Sequence, residues 1–114
     1  GWAPIGAPPS TVLAMRRSEA ASWFSAGRLW VWSGASMSAP PADQSLEGGA
    51  WYDPVMATWG PMAKNGEPTP RAGAGVVWTG SEAIIWGGYP AGKDWSQNFG
   101  EAVSAFADGA IYRP

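Results

Sequence analysis

The chain has 114 residues, a formal net charge of -2 at pH 7, and neither His nor Cys. This length suits a single domain, and the slightly acidic balance gives no electrostatic basis for binding nucleic acid or an anionic membrane. No run of residues approaches the roughly 20 apolar residues of a membrane span. The missing His and Cys exclude Ser–His and Cys–His catalysis within one chain, together with the usual zinc and copper sites.

The composition predicts an all-β protein. The chain contains 9 Trp, 16 Gly and 11 Pro, a combination typical of many short elements separated by turns. Each indole buries roughly 150–250 Å² when packed, so nine of them supply a core despite the many turn residues. We therefore expect an ordered chain without long helices.

Aromatic and β-branched residues bounded by Gly and Pro mark the predicted strands. The sequence Gly75 to Gly88 carries the strongest signal, a tight hairpin of two buried strands. In chain order, the predicted strands cover residues 1–5, 18–25, 28–33, 49–53, 57–62, 73–79, 82–87 and 109–113.

These strands belong to an internal repeat. Residues 17–34 align with residues 71–88 without a gap, at an offset of 54. Tyr-Asp-Pro at 52–54 matches Tyr-Arg-Pro at 112–114 at an offset of 60, and Trp-Ala-Pro at 2–4 matches Trp-Gly-Pro at 59–61 at an offset of 57. Strand spacing is thus kept while the connecting loops vary in length, as is typical of surface loops.

This repeat resembles the kelch β-propellers, including the central domain of galactose oxidase. The resemblance rests on Arg17 and Arg71 before each first strand, Gly87-Gly88 closing a second strand, Tyr52-Asp53-Pro54 in a third, and Trp59 in a fourth. It implies four-stranded antiparallel blades arranged around a channel. Two positions depart from the pattern: Ser33 replaces the first Gly of one pair, and Arg113 replaces the Asp of the second Tyr-Asp-Pro.

The order of the strands predicts one blade split between the two ends of a single 1–114 unit. Residues 1–5 would be strand four of the split blade, about 17–62 a complete blade, and about 71–114 strands one to three of the split blade. The spacing at this seam is about three residues shorter than in the complete blade.

Two blades alone leave strand edges and apolar faces open. A head-to-tail contact between copies closes such a unit into a ring. We expect a homotrimer with six blades; a homotetramer with eight is the alternative. Two alternatives to this ring stay open: the chain is an excerpt of a longer single-chain propeller, or it is an engineered fragment that only assembles.

The expected function is non-enzymatic binding of a protein or peptide on the loop face of the ring. No cofactor or metal is expected, and the His-based copper site of galactose oxidase is excluded. Nine carboxylates remain, and their spacing recommends no glycosidase-type pair, although it does not eliminate one.

Arg17 and Arg71 are the first candidate ligand-binding residues. The resemblance places them at the mouth of the channel, where guanidinium forks bind carboxylate or phosphate groups. An equally weighted alternative is that both arginines cap loop carbonyls and pair with Glu19 or Glu67 to hold the junction between blades.

The loop 88–100 supports a second hypothesis, a carbohydrate-binding propeller. Exposed aromatic rings next to amide and carboxylate groups stack on sugars and bind them by hydrogen bonds, and long loops often carry function. The alternative is that Trp95 and Phe99 fold back to fix the loop. The candidate sugar-binding residues are Tyr89, Asp94, Trp95, Gln97 and Asn98.

Overall fold

The computed structural model describes residues 1–9, 12, 17–36, 45–90 and 105–114. Within these ranges the chain is all-β, as predicted, and contains seven strands and no helix. The strands are β1 (Ala21–Ser25), β2 (Arg28–Trp32), β3 (Gly49–Asp53), β4 (Thr58–Pro61), β5 (Gly75–Trp78), β6 (Ala83–Trp86) and β7 (Gly109–Tyr112).

The strands form two antiparallel sheets that follow the sequence repeat. The first sheet has the order β1-β2-β3-β4, and the second has the order β5-β6-β7. Seven of the eight predicted strands are thereby confirmed, with ends that differ by up to three residues. The register of strand pairing repeats as well: Trp30 lies opposite Trp51 on the neighbouring strand of the first sheet, and Ile84 lies opposite Ile111 in the second.

Residues 1–5 form no strand in the single chain, and their pairing as the fourth strand of the split blade stays a prediction. Trp2 is completely exposed, at 105% of its reference area. The Trp59 indole Nε1 donates a hydrogen bond to the carbonyl of Gly6 at 2.9 Å, so the segment lies beside the first sheet. Its predicted pairing partner, β7, belongs to the second sheet, and its outer edge has no described strand beside it.

The core lies between the two sheets. Trp23 and Trp30 stack with ring centroids 6.0 Å apart, and Tyr112 from the second sheet lies against both rings. Trp32 and Ile85 complete this buried cluster. Trp23, Trp30 and Trp32 of the first sheet therefore lie in the core between the sheets.

Trp86 does not belong to this core within the single chain. Trp86 is 60% exposed, whereas Trp78 is half-buried and packs against the core. The reason is strand alternation: Trp86 and Ile85 lie on opposite faces of β6, and only the face of Ile85 contacts the first sheet.

The two sheets also repeat their main-chain hydrogen bonds. The reciprocal pair between Ser18 and Ala35 recurs 54 residues later between Ala72 and Tyr89. The bond from Leu46 N to Gly34 O recurs as the bond from Phe106 N to Gly88 O. The sequence repeat is therefore a structural repeat that includes the loop ends.

Ser33 joins the two sheets and explains one departure from the sequence pattern. Its hydroxyl donates to the carbonyl of Arg71 at 2.9 Å and accepts the Arg71 N–H at 2.7 Å. Ser33 is completely buried and has a φ of 57°, a conformation that favours glycine. Any side chain is strained in this backbone conformation, and the two hydrogen bonds of the Ser33 hydroxyl offset that strain.

Ser33→Ala should destabilise the protein by about 1–3 kcal/mol, because the mutation removes both hydrogen bonds and leaves the buried Arg71 N–H without a partner. Ser33→Gly is the matched control. This variant loses the same hydrogen bonds but relieves about 1–2 kcal/mol of left-handed backbone strain, so its loss of stability should be smaller. Urea unfolding followed by Trp fluorescence measures both, and equal losses would contradict this account.

Candidate functional site

The Arg17 side chain closes the loop end of the first sheet. Its guanidinium donates to the carbonyls of Ser33, Gly48 and Glu47 at 3.0, 2.9 and 2.9 Å. Burial lowers the pKa of Arg17, and the nearby carboxylates of Glu67 and Glu47 partly oppose this shift. The group therefore holds the end of β2 next to the start of β3.

Arg71 makes the equivalent contacts in the second sheet. Its Nη1 donates to the carbonyls of Gly87 and Asp108 at 3.0 and 3.1 Å, and to the Asp108 carboxylate at 2.7 Å. Its Nε donates to the carbonyl of Thr69 at 3.0 Å. The guanidinium also lies 4.1 Å from the centre of the Phe106 ring, and the side chain is fully buried.

Both arginines therefore cap loop carbonyls, which was one of the two predicted roles. Ligand binding by Arg17 and Arg71 stays a prediction. In the single chain the Arg71 side chain has no exposed surface, and Asp108 and Phe106 are among the groups that cover it.

The predicted pairing with Glu19 or Glu67 is met only in part. The negative charge of Glu67 acts on Arg17 and raises its pKa. The Glu67 carboxylate accepts its hydrogen bonds from other groups, the Trp32 indole at 2.9 Å and Gly48 N. Asp108, which sequence reasoning missed, is the ion-pair partner of Arg71. The available signal was its position, since Asp108 follows Gly48 by the same 60 residues that separate the two third strands.

Tyr89 is placed at the junction between the sheets. Its hydroxyl donates a short hydrogen bond to the Glu19 carboxylate, and Gly73 N donates to the Glu19 carbonyl at 3.0 Å. The hydrogen bond to Glu19, followed by burial and the charge of Glu19, raises the pKa of Tyr89 to about 12. The other four predicted sugar-binding residues, Asp94, Trp95, Gln97 and Asn98, lie outside the described residues, so their arrangement with Tyr89 stays a prediction.

A different surface emerges on the second sheet. Val77, Ile84, Trp86 and Ile111 are exposed on the face that points away from the first sheet, and we call these four residues the open face. Their repeat equivalents are Trp23, Trp30, Trp32 and Trp51. The first three are buried and the fourth packs against the core. The open face is therefore a set of interface positions without a covering sheet.

The first sheet has an exposed outer face of its own. Phe24 is exposed and Leu29 and Val31 are half-buried on the side opposite the core, and we call these three residues the back face. Their repeat equivalents, Trp78, Ala83 and Ile85, are the side chains through which the second sheet contacts the first. The chain thus exposes one copy of each half of its own internal interface.

Among the described residues there is no group of three or more acidic, His or Cys side chains placed to bind a metal ion. The described part of the chain also lacks any helix with the length and hydropathy needed to cross a membrane.

No protein-family model matches the chain, and no curated protein matches it. The resemblance to kelch propellers thus remains an interpretation of the repeat, while the all-β architecture of two antiparallel sheets is observed.

Arg71→Lys should destabilise the protein by at least about 2 kcal/mol, because one ammonium cannot replace a fork that serves several acceptors at once. Asp108→Asn is the control and should cost less than about 1 kcal/mol, because the Asp108 carboxylate is largely exposed. Chemical denaturation compares the two variants. A larger effect for Asp108→Asn would mean that the ion pair, and not carbonyl capping, holds this junction.

Glu19→Gln should lower the pH at which Tyr89 ionises. The folded pKa is raised above the usual value of 10.0, so the contribution to stability is complete below pH 10 and is lost as the pH rises through about 12. Phenolate absorbance during alkaline titration measures this, with Tyr89→Phe identifying the transition. An unchanged transition in Glu19→Gln would show that burial alone raises the pKa.

Proposed function

We propose that the chain is a kelch-type β-propeller unit that assembles head to tail into a closed ring and binds a protein or peptide on its loop end. The observation that carries this proposal is the pair of complementary exposed surfaces, the open face and the back face. Each is a repeat of a surface that is buried inside the chain.

The internal interface serves as the template for the contact between copies. Within the chain, β1 and β5 are the adjacent strands, and the second sheet covers the tryptophan face of the first. Placing the open face of one copy against the back face of the next repeats this arrangement. The contact joins two different surfaces, so it is heterologous and closes into a ring when the rotation per copy divides a full turn.

The number of copies follows from the number of sheets in the ring. Propellers contain between about four and eight blades. With two sheets in each chain, a trimer gives six blades and a tetramer eight; we propose the trimer.

The loop end is the proposed binding surface. The connections after β2, β4 and β6 all leave the sheets at the end where Arg17, Arg71 and Tyr89 lie. The opposite end carries tight turns, at residues 26–27 and 54–57. Longer loops on a rigid scaffold are the usual location of binding residues.

In solution the chain should have three times the single-chain mass of 11.9 kDa. Trp86→Glu should reduce it to the monomer mass, because the substitution places a charge in the proposed apolar contact. Val55→Glu is the control, since Val55 is exposed on a tight turn at the other end of the sheet. Light scattering after size-exclusion chromatography measures all three. A wild-type monomer would refute the ring and favour an excerpt of a longer propeller.

The binding activity requires a separate test. Selection from a displayed peptide library on the assembled ring should yield ligands whose affinity falls at least tenfold on substitution of loop-end residues but not in Val55→Glu. Turnover of a compound from a glycan and ester panel would refute the non-enzymatic assignment. Glycan-array binding that is lost in Trp95→Ala would replace the peptide ligand with a carbohydrate.

A further inference from the structure

The outer edge of β7 is an incomplete binding site for a fourth strand. In the first sheet the equivalent edge, that of β3, is covered by β4, which pairs Tyr52 with Trp59, Trp51 with Gly60 and Ala50 with Pro61. The second sheet ends at β7, and no described strand covers it. A crevice of about 60 Å³ with a mixed polar and apolar lining separates β7 from the segment that follows β4, and Met62, Ala110 and Tyr112 are among its lining residues.

Residues 2–5 repeat the sequence of the covering strand. Trp59-Gly60-Pro61-Met62 and Trp2-Ala3-Pro4-Ile5 both read Trp, a small residue, Pro and a large aliphatic residue. Applying the two repeat offsets to the observed register places Trp2 opposite Tyr112, Ala3 opposite Ile111 and Pro4 opposite Ala110.

The small residue differs between the copies in a way that fits this register. Gly60 lies against the Trp51 ring, and a Cβ atom on Gly60 would collide with the Trp51 benzene carbons. The equivalent of Trp51 on β7 is Ile111, which lacks that ring. An Ala at position 3 therefore suits β7, whereas only Gly suits β3.

The aliphatic residue fits as well. Met62 is 6% exposed and belongs to the same buried cluster as Trp32, which is 3% exposed. The equivalent residues Ile5 and Trp86 are 57% and 60% exposed in the single chain. Pairing of residues 2–5 with β7 would bring Ile5 and Trp86 together, just as Met62 and Trp32 share one buried cluster in the first sheet.

The proline agrees with the hydrogen-bond pattern. Met62 N donates to Gly49 O at 3.1 Å, so the Ala50–Pro61 pair lies between hydrogen-bonded pairs and its main-chain groups point away from each other. Pro61 therefore loses no ladder bond, and Pro4 opposite Ala110 would lose none either.

Within its own chain the N-terminal segment lies beside β4 of the first sheet and does not pair with β7. Within the chain, the hydrogen bond from Trp59 to Gly6 holds the N-terminal segment beside β4. Trp59 packs on Tyr52, which alternates with the core-facing Trp51, so this is the back-face side of the first sheet. In the proposed ring that side meets the second sheet of the preceding copy, which carries the open β7 edge.

We propose that residues 1–5 of one copy bind as an antiparallel fourth strand to β7 of the preceding copy, in the register that pairs Trp2 with Tyr112 and Pro4 with Ala110. This inference rests on the proposed ring and adds the residues by which each copy completes its neighbour. The edge of β7 is thus a site for strand addition that selects a Trp-small-Pro-aliphatic sequence.

Cysteine cross-linking tests the register, because the chain has no Cys of its own. Pro4→Cys with Ala110→Cys places two thiols at directly opposed, non-hydrogen-bonded positions, where Cβ atoms are about 4.5–5.5 Å apart. Ala3→Cys with Ala110→Cys is the matched control, shifted by one residue so that the thiols lie on opposite faces. Mild oxidation followed by a non-reducing gel should give covalent trimers for the first pair, at least tenfold more than for the second.

The remaining outcomes separate strand donation from ring assembly. A trimer in solution that cross-links equally with both pairs, or with neither, would refute strand donation and leave the ring standing. A disulfide within one chain would show that the chain completes itself and would overturn both proposals.

If the wild-type chain is a monomer, a synthetic peptide of residues 1–9 added to a variant lacking residues 1–5 decides the matter. Saturable binding that is lost with Trp2→Ala in the peptide supports the register without the ring, and no binding refutes it.

Discussion

The structure depends on the packing of two sheets through a single layer of indole rings. A strand presents side chains alternately to both faces of its sheet, and in this chain both faces are apolar. Trp23 and Trp30 satisfy one face of the first sheet by stacking and by contact with Tyr112. The remaining faces, one on each sheet, are not covered by another sheet among the described residues, and this imbalance is the reason that we consider an assembly.

Arg17, Arg71 and Ser33 have a supporting role that follows from this packing. Two sheets in face contact bring the ends of their strands together, and the main-chain groups at these ends must be satisfied away from water. Arg17 and Arg71 supply donors to the carbonyls on the loop side of each sheet. Ser33 supplies both a donor and an acceptor between the sheets. The sequence suggests a binding site at Arg17 and Arg71, and in the single chain their hydrogen bonds hold the loop end of each sheet together.

The sequence predicts the strands and their repeat well, because local composition and spacing determine both. It predicts burial less well, because burial depends on what covers a face. Trp32 and Trp86 occupy the same position in the repeat, yet one is 3% and the other 60% exposed. Asp108 was missed because its equivalent in the first repeat, Gly48, has no side chain and so indicates no ion pair with the arginine. The predicted arrangement around Trp95 falls outside the described residues.

The prolines at the end of each fourth-strand sequence have a consequence for how far assembly proceeds. A sheet whose outermost strand has a free row of N–H and C=O groups can recruit further strands without limit, which leads to fibres. Pro61 interrupts that row on the rim of the first sheet, and Pro4 would do so on the second. The missing donors disfavour growth outward, so in the proposed assembly association would proceed around the ring and stop when the ring closes.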